Sequence, residues 1–294
     1  MISILIPTYN EKVDKLVTVL HNQSEKLATN FEILVYDDGS SIRHQENEAL
    51  NQLANASYRY FEKNLGRGAI RNQLALDAKA DLLLFLDADV LPTNDNFLSN
   101  YEKAIQKDTV VICGGIAYQD TEVPVNERLR YVYGKKREEK SAETRQNNPY
   151  IIVTANLLIQ KNCFLEANTE LQNLYGEDLL LSQNLKYKKC DIQHINNPVW
   201  HLGLEASTLF IEKSKEAIRN MVYWEKEGKL DSDFTVLQKK YTSLKRKGLL
   251  SLYQIFLKIS NKVYIAANLT SKKPSPLLFN MYRLYYYIQQ KKHA

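Results

Sequence analysis

Apolar residues over the first ninety positions fall into short β-rich runs, separated by longer stretches in which they recur every three or four residues. The runs 2–6, 31–36, 58–61 and 82–86 predict strands, and the stretches 13–27, 44–54 and 66–78 predict the helices between them. Strands alternating with helices of this length predict βαβ units, and therefore an α/β fold with a mostly parallel sheet flanked by helices. Two more strands are expected at 110–115 and 151–159, and a further helix over 175–186. The charged stretch 126–148, which contains Lys135, Lys136, Arg137, Glu138, Glu139 and Lys140, reads as a solvated helix in preference to a loop that closes over phosphate. Beyond His201 the pattern is helical almost throughout, with Leu249, Leu252, Tyr253, Phe256, Val263 and Tyr264 close to one face. No internal repeat interrupts this order.

Three of the strands run directly into polar clusters. Pro7, Thr8, Tyr9, Asn10 and Glu11 follow the first; Asp37, Asp38, Gly39 and Ser40 follow the second; Asp87, Ala88 and Asp89 follow the strand 82–86. Open α/β sheets bind ligands beyond the carboxyl ends of their strands, so these clusters are expected to converge on one crevice.

The chemistry of the clusters narrows what the crevice holds. Two carboxylates at Asp87 and Asp89, just past a buried strand, are costly to desolvate without a cation or hydrogen-bond donors. Mg²⁺ and similar hard cations take oxygen ligands and keep positions open for phosphate oxygens, so such a pair suits a metal–diphosphate complex. Taken alone, the same residues also suit a helix N-cap and a turn before Pro92. The Asp-Asp-Gly-Ser cluster reads either as an Asx turn or as a carboxylate that accepts from a uracil imide or a ribose hydroxyl. Asn64, Leu65, Gly66 and Arg67 open a helix that carries Arg67 and Arg71 one turn apart, a candidate anion site at a helix N-terminus.

Taken in order, Pro7 to Glu11, Asp37 to Ser40, Asn64 to Arg67 with Arg71 and Asn72, Asp87 to Asp89, and Glu177 with Asp178 resemble the inverting family 2 glycosyltransferases of the GT-A fold, of the bacterial glycan-biosynthesis type. The resemblance covers residues 1–205. It implies a Rossmann-like nucleotide-sugar-binding domain, with Pro7, Thr8, Tyr9, Glu11, Asp38, Asn64, Arg67, Arg71, Asp87, Ala88 and Asn156 toward the donor. Within that set Asp38 is implied to recognise the base, and Asn156 to contact the acceptor or the donor sugar. Asp89 and Asp87 with His201 are the implied ligands of Mn²⁺ or Mg²⁺, Asp178 the implied general base, and Glu177 its catalytic neighbour. The implied reaction moves one hexosyl or N-acetylhexosaminyl group from a nucleotide-diphosphate sugar, UDP-linked, to a glycan or lipid-linked glycan. No Q-x-x-R-W motif is present, which favours addition of a single sugar over processive synthesis. A sugar-phosphate nucleotidyltransferase is the alternative enzyme, although the Gly-rich basic first loop expected of one is missing. A nucleotide-sugar-binding homologue without turnover is the non-enzyme alternative.

Length and charge add an appendage to this picture. The 294 residues suggest one large domain, 1–205, and a mainly helical extension, 206–294. Residues 207–294 hold 17 Lys/Arg and 6 Asp/Glu, whereas the first 206 hold 22 and 28. From 234 to 294 there are twelve basic residues, ten aromatics and no acidic residue. Basic, aromatic-rich helices adhere to anionic membrane surfaces; the same stripe equally fits packing on the catalytic domain. Nucleic acid is not an expected partner, given the net −6 of the first 206 residues. Three cysteines without a C-x-x-C pair suggest a reducing cytoplasm, the N-terminal apolar run reads as a strand, and no stretch reaches the roughly 20 apolar residues needed to span a bilayer. The expected location is cytoplasmic or peripheral on the inner membrane face.

Overall fold

Ten strands appear in a computed structural model that describes residues 1–260 and 264–293. They are β1 (Ile2–Thr8), β2 (Phe31–Asp37), β3 (Ala56–Tyr60), β4 (Leu82–Leu86), β5 (Val90–Pro92), β6 (Val111–Cys113), β7 (Ile116–Ala117), β8 (Asn156–Gln160), β9 (Ile192–His194) and β10 (Val199–His201). Seven form the main sheet, in the order β3-β2-β1-β4-β8-β6-β9. The first four are mutually parallel, β8 runs antiparallel between β4 and β6, and β9 is parallel to β6. This is the expected mostly parallel α/β sheet.

The chain leaves β1 outward to β2 and β3, then returns to place β4 on the other side of β1. Strand order reverses at β1, and open α/β sheets bind ligands beyond the carboxyl ends of the strands at such a point. Register keeps the three polar clusters on that edge: Thr8 lies opposite Asp37, and Leu5 opposite Phe85. Both faces of β1 and β4 are covered, which explains their nearly unbroken apolar sequences. Ser3 is the polar exception in β1, and its hydroxyl donates to Glu32 at 2.5 Å. On one face of the sheet the helix Arg67–Asp77 contributes Ile70, Leu74 and Ala75 to a core with Leu5, Leu34, Phe85 and Phe164.

Local differences from the expected elements have simple causes. Residues 44–54 form a four-residue helix, Gln45–Glu48, and a 3₁₀ turn, Ala49–Gln52, with little apolar surface to bury. The strand expected over 151–159 begins only at Asn156, and the charged stretch 126–148 divides into helices Arg128–Arg137 and Ala142–Gln146. A second sheet, β5-β10-β7, was not legible, because strands of two or three residues carry no usable periodicity. The cysteines are free, and Cys163 and Cys190 bring their sulfurs to 3.4 Å.

The chain divides into two compact units, Met1–Gln119 with Glu139–Gly203, and Asp120–Glu138 with Leu204–Ala294. Sequence had suggested one boundary at 205/206; the segment Asp120–Glu138 groups with the C-terminal helices instead. That second unit contains the helices Arg128–Arg137, Ser207–Lys226, Val236–Arg246, Leu250–Ser260, Ala266–Leu269 and Pro276–His293. Leu129, Phe210, Leu257, Leu269 and Phe279 form its core. The apolar stripe expected there splits: Tyr253 packs on this core, while Leu249, Leu252, Phe256 and Tyr264 are exposed; Val263 lies outside the described residues. Among the described residues no helix is long and apolar enough to cross a membrane.

One carboxylate joins three helices of this unit. Glu225, buried on Ser207–Lys226, accepts from Gln238 at 2.6 Å, from the Tyr287 hydroxyl at 2.6 Å and from Lys291 at 2.8 Å. Truncation leaves these donors without their acceptor, so Glu225→Ala is expected to lower the unfolding free energy by about 3 kcal/mol. Urea denaturation measures this, and a Glu225→Gln variant should recover part of the loss by retaining an acceptor.

Candidate active site

The loop after β1 is shaped by short polar contacts. Thr8 is buried and its hydroxyl donates to the Glu11 carbonyl, which turns the chain through Asn10 at φ 57°. The Asn10 amide donates to Ser40 Oγ, and its side-chain oxygen accepts from Ser41 and Ile42, so the loops after β1 and β2 are joined. Pro7 is half-buried at the end of the strand and Tyr9 stands exposed beyond it. Glu11 has its carboxyl raised above the ordinary range by burial and by the negative charge of Asp89.

In the second cluster the two aspartates differ in use. Asp37 is buried, accepts from the Ser40 amide at 2.8 Å and from the Tyr58 hydroxyl at 2.7 Å, and so forms the Asx turn. Gly39 sits at φ +75°, and a Cβ there would lie 2.8 Å from the Asn64 amide nitrogen, which the turn must approach closely. Asp38 accepts from the amides of Leu65 at 2.6 Å and Gly66 at 2.9 Å, while Asn64 donates to the Asp38 carbonyl. Burial raises the Asp38 carboxyl and the two amides oppose that rise.

The expected anion site at the start of the helix Arg67–Asp77 is corrected by these contacts. Asp38 itself occupies the amides of Leu65 and Gly66. Arg67 lies over the Tyr175 ring, 5.0 Å from its centroid. Arg71, expected to face phosphate, is buried and donates to Asp87 at 2.8 Å and to Glu177 at 3.0 Å. Burial alone would lower the Arg71 pKa, but the carboxylates of Asp87, Asp178 and Glu177 raise it above its ordinary value, so it is a fixed internal cation.

The metal expectation is also redistributed. Among the described residues no group of three His, Cys, Asp or Glu is arranged to hold a metal by itself. Asp87 is turned to Arg71, whereas Asp89 faces His201, with Nε2 at 3.7 Å from its Oδ2. The small sheet makes that pair, because His201 lies opposite Val90 across β10 and β5. Tyr118 stacks on His201 with ring centroids 5.6 Å apart, and the buried His201 Nδ1 has no hydrogen-bond partner. Gly203, unnoticed in the sequence, is required here: a Cβ would lie 2.0 Å from Asp89 Oδ2. Ala88 spans the two aspartates and is half-buried. A carboxylate oxygen and an imidazole beside further acids form a donor set that fits Mn²⁺ or Mg²⁺, and the repulsion of Glu11 by Asp89 is what a cation would relieve.

Glu177 and Asp178 begin the helix Asp178–Tyr187 with different environments. Glu177 is buried against Arg71, with its carboxyl raised by burial despite that partner. Its carboxylate, the implied catalytic neighbour of Asp178, is thus paired with Arg71. Asp178 is half-buried and accepts from the Thr154 hydroxyl at 3.0 Å and the Thr154 amide at 3.3 Å. Thr154 therefore fixes the carboxylate from one side.

Asn156 does not reach the crevice. It is 1% exposed; its oxygen accepts from the Tyr101 hydroxyl at 2.7 Å and its amide donates to the carbonyls of Gly115 and Asn197. Every strong hydrogen-bonding position of the side chain is internal, so it ties β8 to the segments around β7 and β10 rather than touching a sugar. Asn156→Ala is expected to lower stability by about 3 kcal/mol, because the Tyr101 hydroxyl and the Asn197 carbonyl lose this partner and a buried side chain is truncated. Nucleotide binding by the folded variant, followed by calorimetry, should stay within about twofold of the parent.

Comparison with known proteins bears on the family and the fold. The model described as Glycosyl transferase family 2 matches residues 3–164. An uncharacterized glycosyltransferase of Bacillus subtilis, YfnE, is 25% identical over 195 residues, covering 60% of this chain and 48% of its own length. An uncharacterized glycosyltransferase of Haemophilus influenzae is 33% identical over 95 residues, 30% of this chain and 29% of its own. The chain thus spans less than half the length of these relatives. Among solved structures, Staphylococcus aureus TarS 1–349 superposes with a TM-score of 0.54 at 17% identity, covering 99% of this chain and 90% of that one. The same TarS fragment in complex with UDP-GlcNAc gives 0.52 at 18%, with 75% and 66% covered. The mannosyltransferase PcManGT of Pyrobaculum calidifontis, in complex with GDP-Man and Mn²⁺, gives 0.52 at 14%, with 76% and 64% covered. Identities this low speak for a shared GT-A fold, and it is the match over residues 3–164 that carries membership: the chain belongs to glycosyl transferase family 2.

Proposed function

We propose that this chain is an inverting transferase that moves one hexosyl or N-acetylhexosaminyl group from a UDP-linked donor to a glycan or lipid-linked glycan in bacterial glycan biosynthesis. The observation that carries this reading is the gathering of Asp38, the Asp89–His201 pair and Asp178 at one edge of the parallel sheet. The donor base and ribose lie against Pro7, Tyr9 and Asp38, whose carboxylate retains acceptor capacity beyond its two backbone donors. A uracil imide N–H fits the aspartate acceptor, as N–H donors of other bases also do; TarS, a structural neighbour, has been captured with UDP-GlcNAc, and PcManGT with GDP-Man.

Inversion requires one displacement. Asp178 accepts the proton of the attacking acceptor hydroxyl, the new bond forms from that oxygen to the anomeric carbon, and the bond from that carbon to the diphosphate oxygen breaks with its electron pair leaving on the diphosphate. Two hydrogen bonds from Thr154 aim the Asp178 carboxylate, and the Glu177–Arg71 pair fixes the first turn of its helix. Asp89 and His201 would hold a divalent cation, which would neutralise charge on the leaving diphosphate. Three free cysteines suit work in a cytoplasm, where nucleotide sugars are made available to such enzymes.

Thermal unfolding with UDP-, GDP-, dTDP- and CMP-linked ligands, each with Mn²⁺, Mg²⁺ or chelator, tests the donor site. The UDP series should raise the midpoint only with metal, since a ligand that binds the native state stabilises it by mass action. Asp89→Ala should abolish that shift; an equal shift in chelator would remove the metal from the proposal. For the chemical step, Asp178→Asn is expected to retain the donor-induced shift while transfer falls by about 10²–10⁴-fold. Unimpaired transfer by this variant would exclude Asp178 as the base.

A further inference from the structure

The helix Leu250–Ser260 is apolar on two sides. Its inner side places Leu257, 1% exposed, and Tyr253 against the core of the second unit. The other side presents Leu252 (65% exposed), Ile255 (59%), Phe256 (57%) and Ile259 (63%) to solvent. Their spacing of i, i+3, i+4 and i+7 aligns them in one stripe along the helix surface. Isolated exposed apolar residues are ordinary, whereas four large ones in register on one helix mark an interaction surface.

Charge identifies the occupant. Lys245 and Arg246 end the preceding helix, Lys247 follows them, and Lys258 lies within the stripe helix itself. The chain from 234 to 294 contains no acidic residue at all. A second copy of this chain would bring the same positive surface against itself, and an ordinary protein surface of mixed sign offers no particular match. A bilayer with anionic headgroups matches both features, since it receives bulky apolar side chains below the headgroups and attracts Lys and Arg at their level.

We propose that the exposed face of Leu250–Ser260, with the basic segment Lys245, Arg246 and Lys247, is a docking surface for anionic lipid bilayers. The helix lies in the plane of the interface, with Leu252, Ile255, Phe256 and Ile259 immersed and Lys258 at headgroup level. This surface shares no residue with the candidate sugar-transfer site and does not depend on how that site is read.

Flotation of the full chain with vesicles of phosphatidylcholine alone, or of phosphatidylcholine mixed with phosphatidylglycerol, at low and high salt, provides the test. The chain should float with the anionic vesicles, and salt should weaken the association. The double substitution Ile255→Ser and Phe256→Ser should reduce partitioning by roughly tenfold or more. Replacing Lys245, Arg246 and Lys247 with Gln should weaken it and flatten the salt dependence. The stripe side chains are exposed, so these variants are expected to fold; unchanged stabilisation by nucleotide ligand, or an unchanged circular dichroism spectrum where none binds, verifies this. Equal binding to neutral vesicles, no binding, or binding indifferent to the apolar pair would overturn the proposal. So would a parent that sediments as an oligomer, ignores vesicles and becomes monomeric in the double variant, which would make the stripe a self-association surface.

Discussion

The buried guanidinium of Arg71 ties together the edge of the sheet that carries the candidate site. Arg71 is buried, and no charge can stand there without counter-charges at contact distance, which Asp87 and Glu177 supply at 2.8 and 3.0 Å. These three residues come from the helix Arg67–Asp77, the end of β4 and the turn into Asp178–Tyr187, so one cation fixes three segments that are distant in sequence. The arrangement also sorts the acids. Asp87 and Glu177 are committed to Arg71, whereas their neighbours Asp89 and Asp178 point elsewhere, to His201 and to Thr154. Adjacent carboxylates in sequence thus acquire different chemistry through the partner each one meets.

The same edge has a clear electrostatic bias. Glu11, Asp37, Asp38, Asp87, Asp89, Glu177 and Asp178 face a limited supply of positive charge, of which Arg71 is already engaged. A nucleotide diphosphate entering such a crevice meets repulsion unless a cation accompanies it, which is the physical reason for associating donor binding with metal. The backbone has been shaped around that point: Gly203 leaves room for Asp89, and Leu202 donates its amide to the Asp89 carbonyl at 2.8 Å. His201 is brought there by a three-residue strand and held flat against Tyr118.

Much of the framework could be read from the chain because β1, β2 and β4 are covered on both faces and therefore carry long apolar runs. Their carboxyl ends could be read for a related reason, since polar residues begin abruptly where the strands end, at Asp37 and just past Leu86. Partnership was less accessible. Nothing in the spacing of Arg67 and Arg71 distinguishes a guanidinium stacked on Tyr175 from one enclosed by two acids, because Tyr175 and Glu177 are remote in sequence and Asp87 lies on a different element. Asn156 follows a strand-like pattern whether its amide meets a sugar or the carbonyls of Gly115 and Asn197, and only tertiary structure separates the two. Gly203 had one legible signal, a glycine two residues beyond a candidate metal histidine, but its meaning depends on the approach of Asp89. The assignment of Asp120–Glu138 to the C-terminal unit was hidden because a charged helix looks solvated until the apolar core that receives Leu129 is known.

Charge is divided unevenly along the chain. Acidic side chains concentrate in the first 206 residues, and the last 61 residues contain none. Solvation alone does not require that exclusion, because a helical surface is solubilised as well by mixed signs as by one. Nor does stability favour it, since twelve like charges in a small unit repel one another. The unit nevertheless places a buried carboxylate, Glu225, on the preceding helix, where it meets Gln238, Tyr287 and Lys291. Positive charge is thus paired at Glu225, where the helices join. Among the described residues, Lys245, Arg246, Lys247 and Lys258 near Leu250–Ser260 have no acidic partner, beside apolar side chains that the unit's own core does not cover.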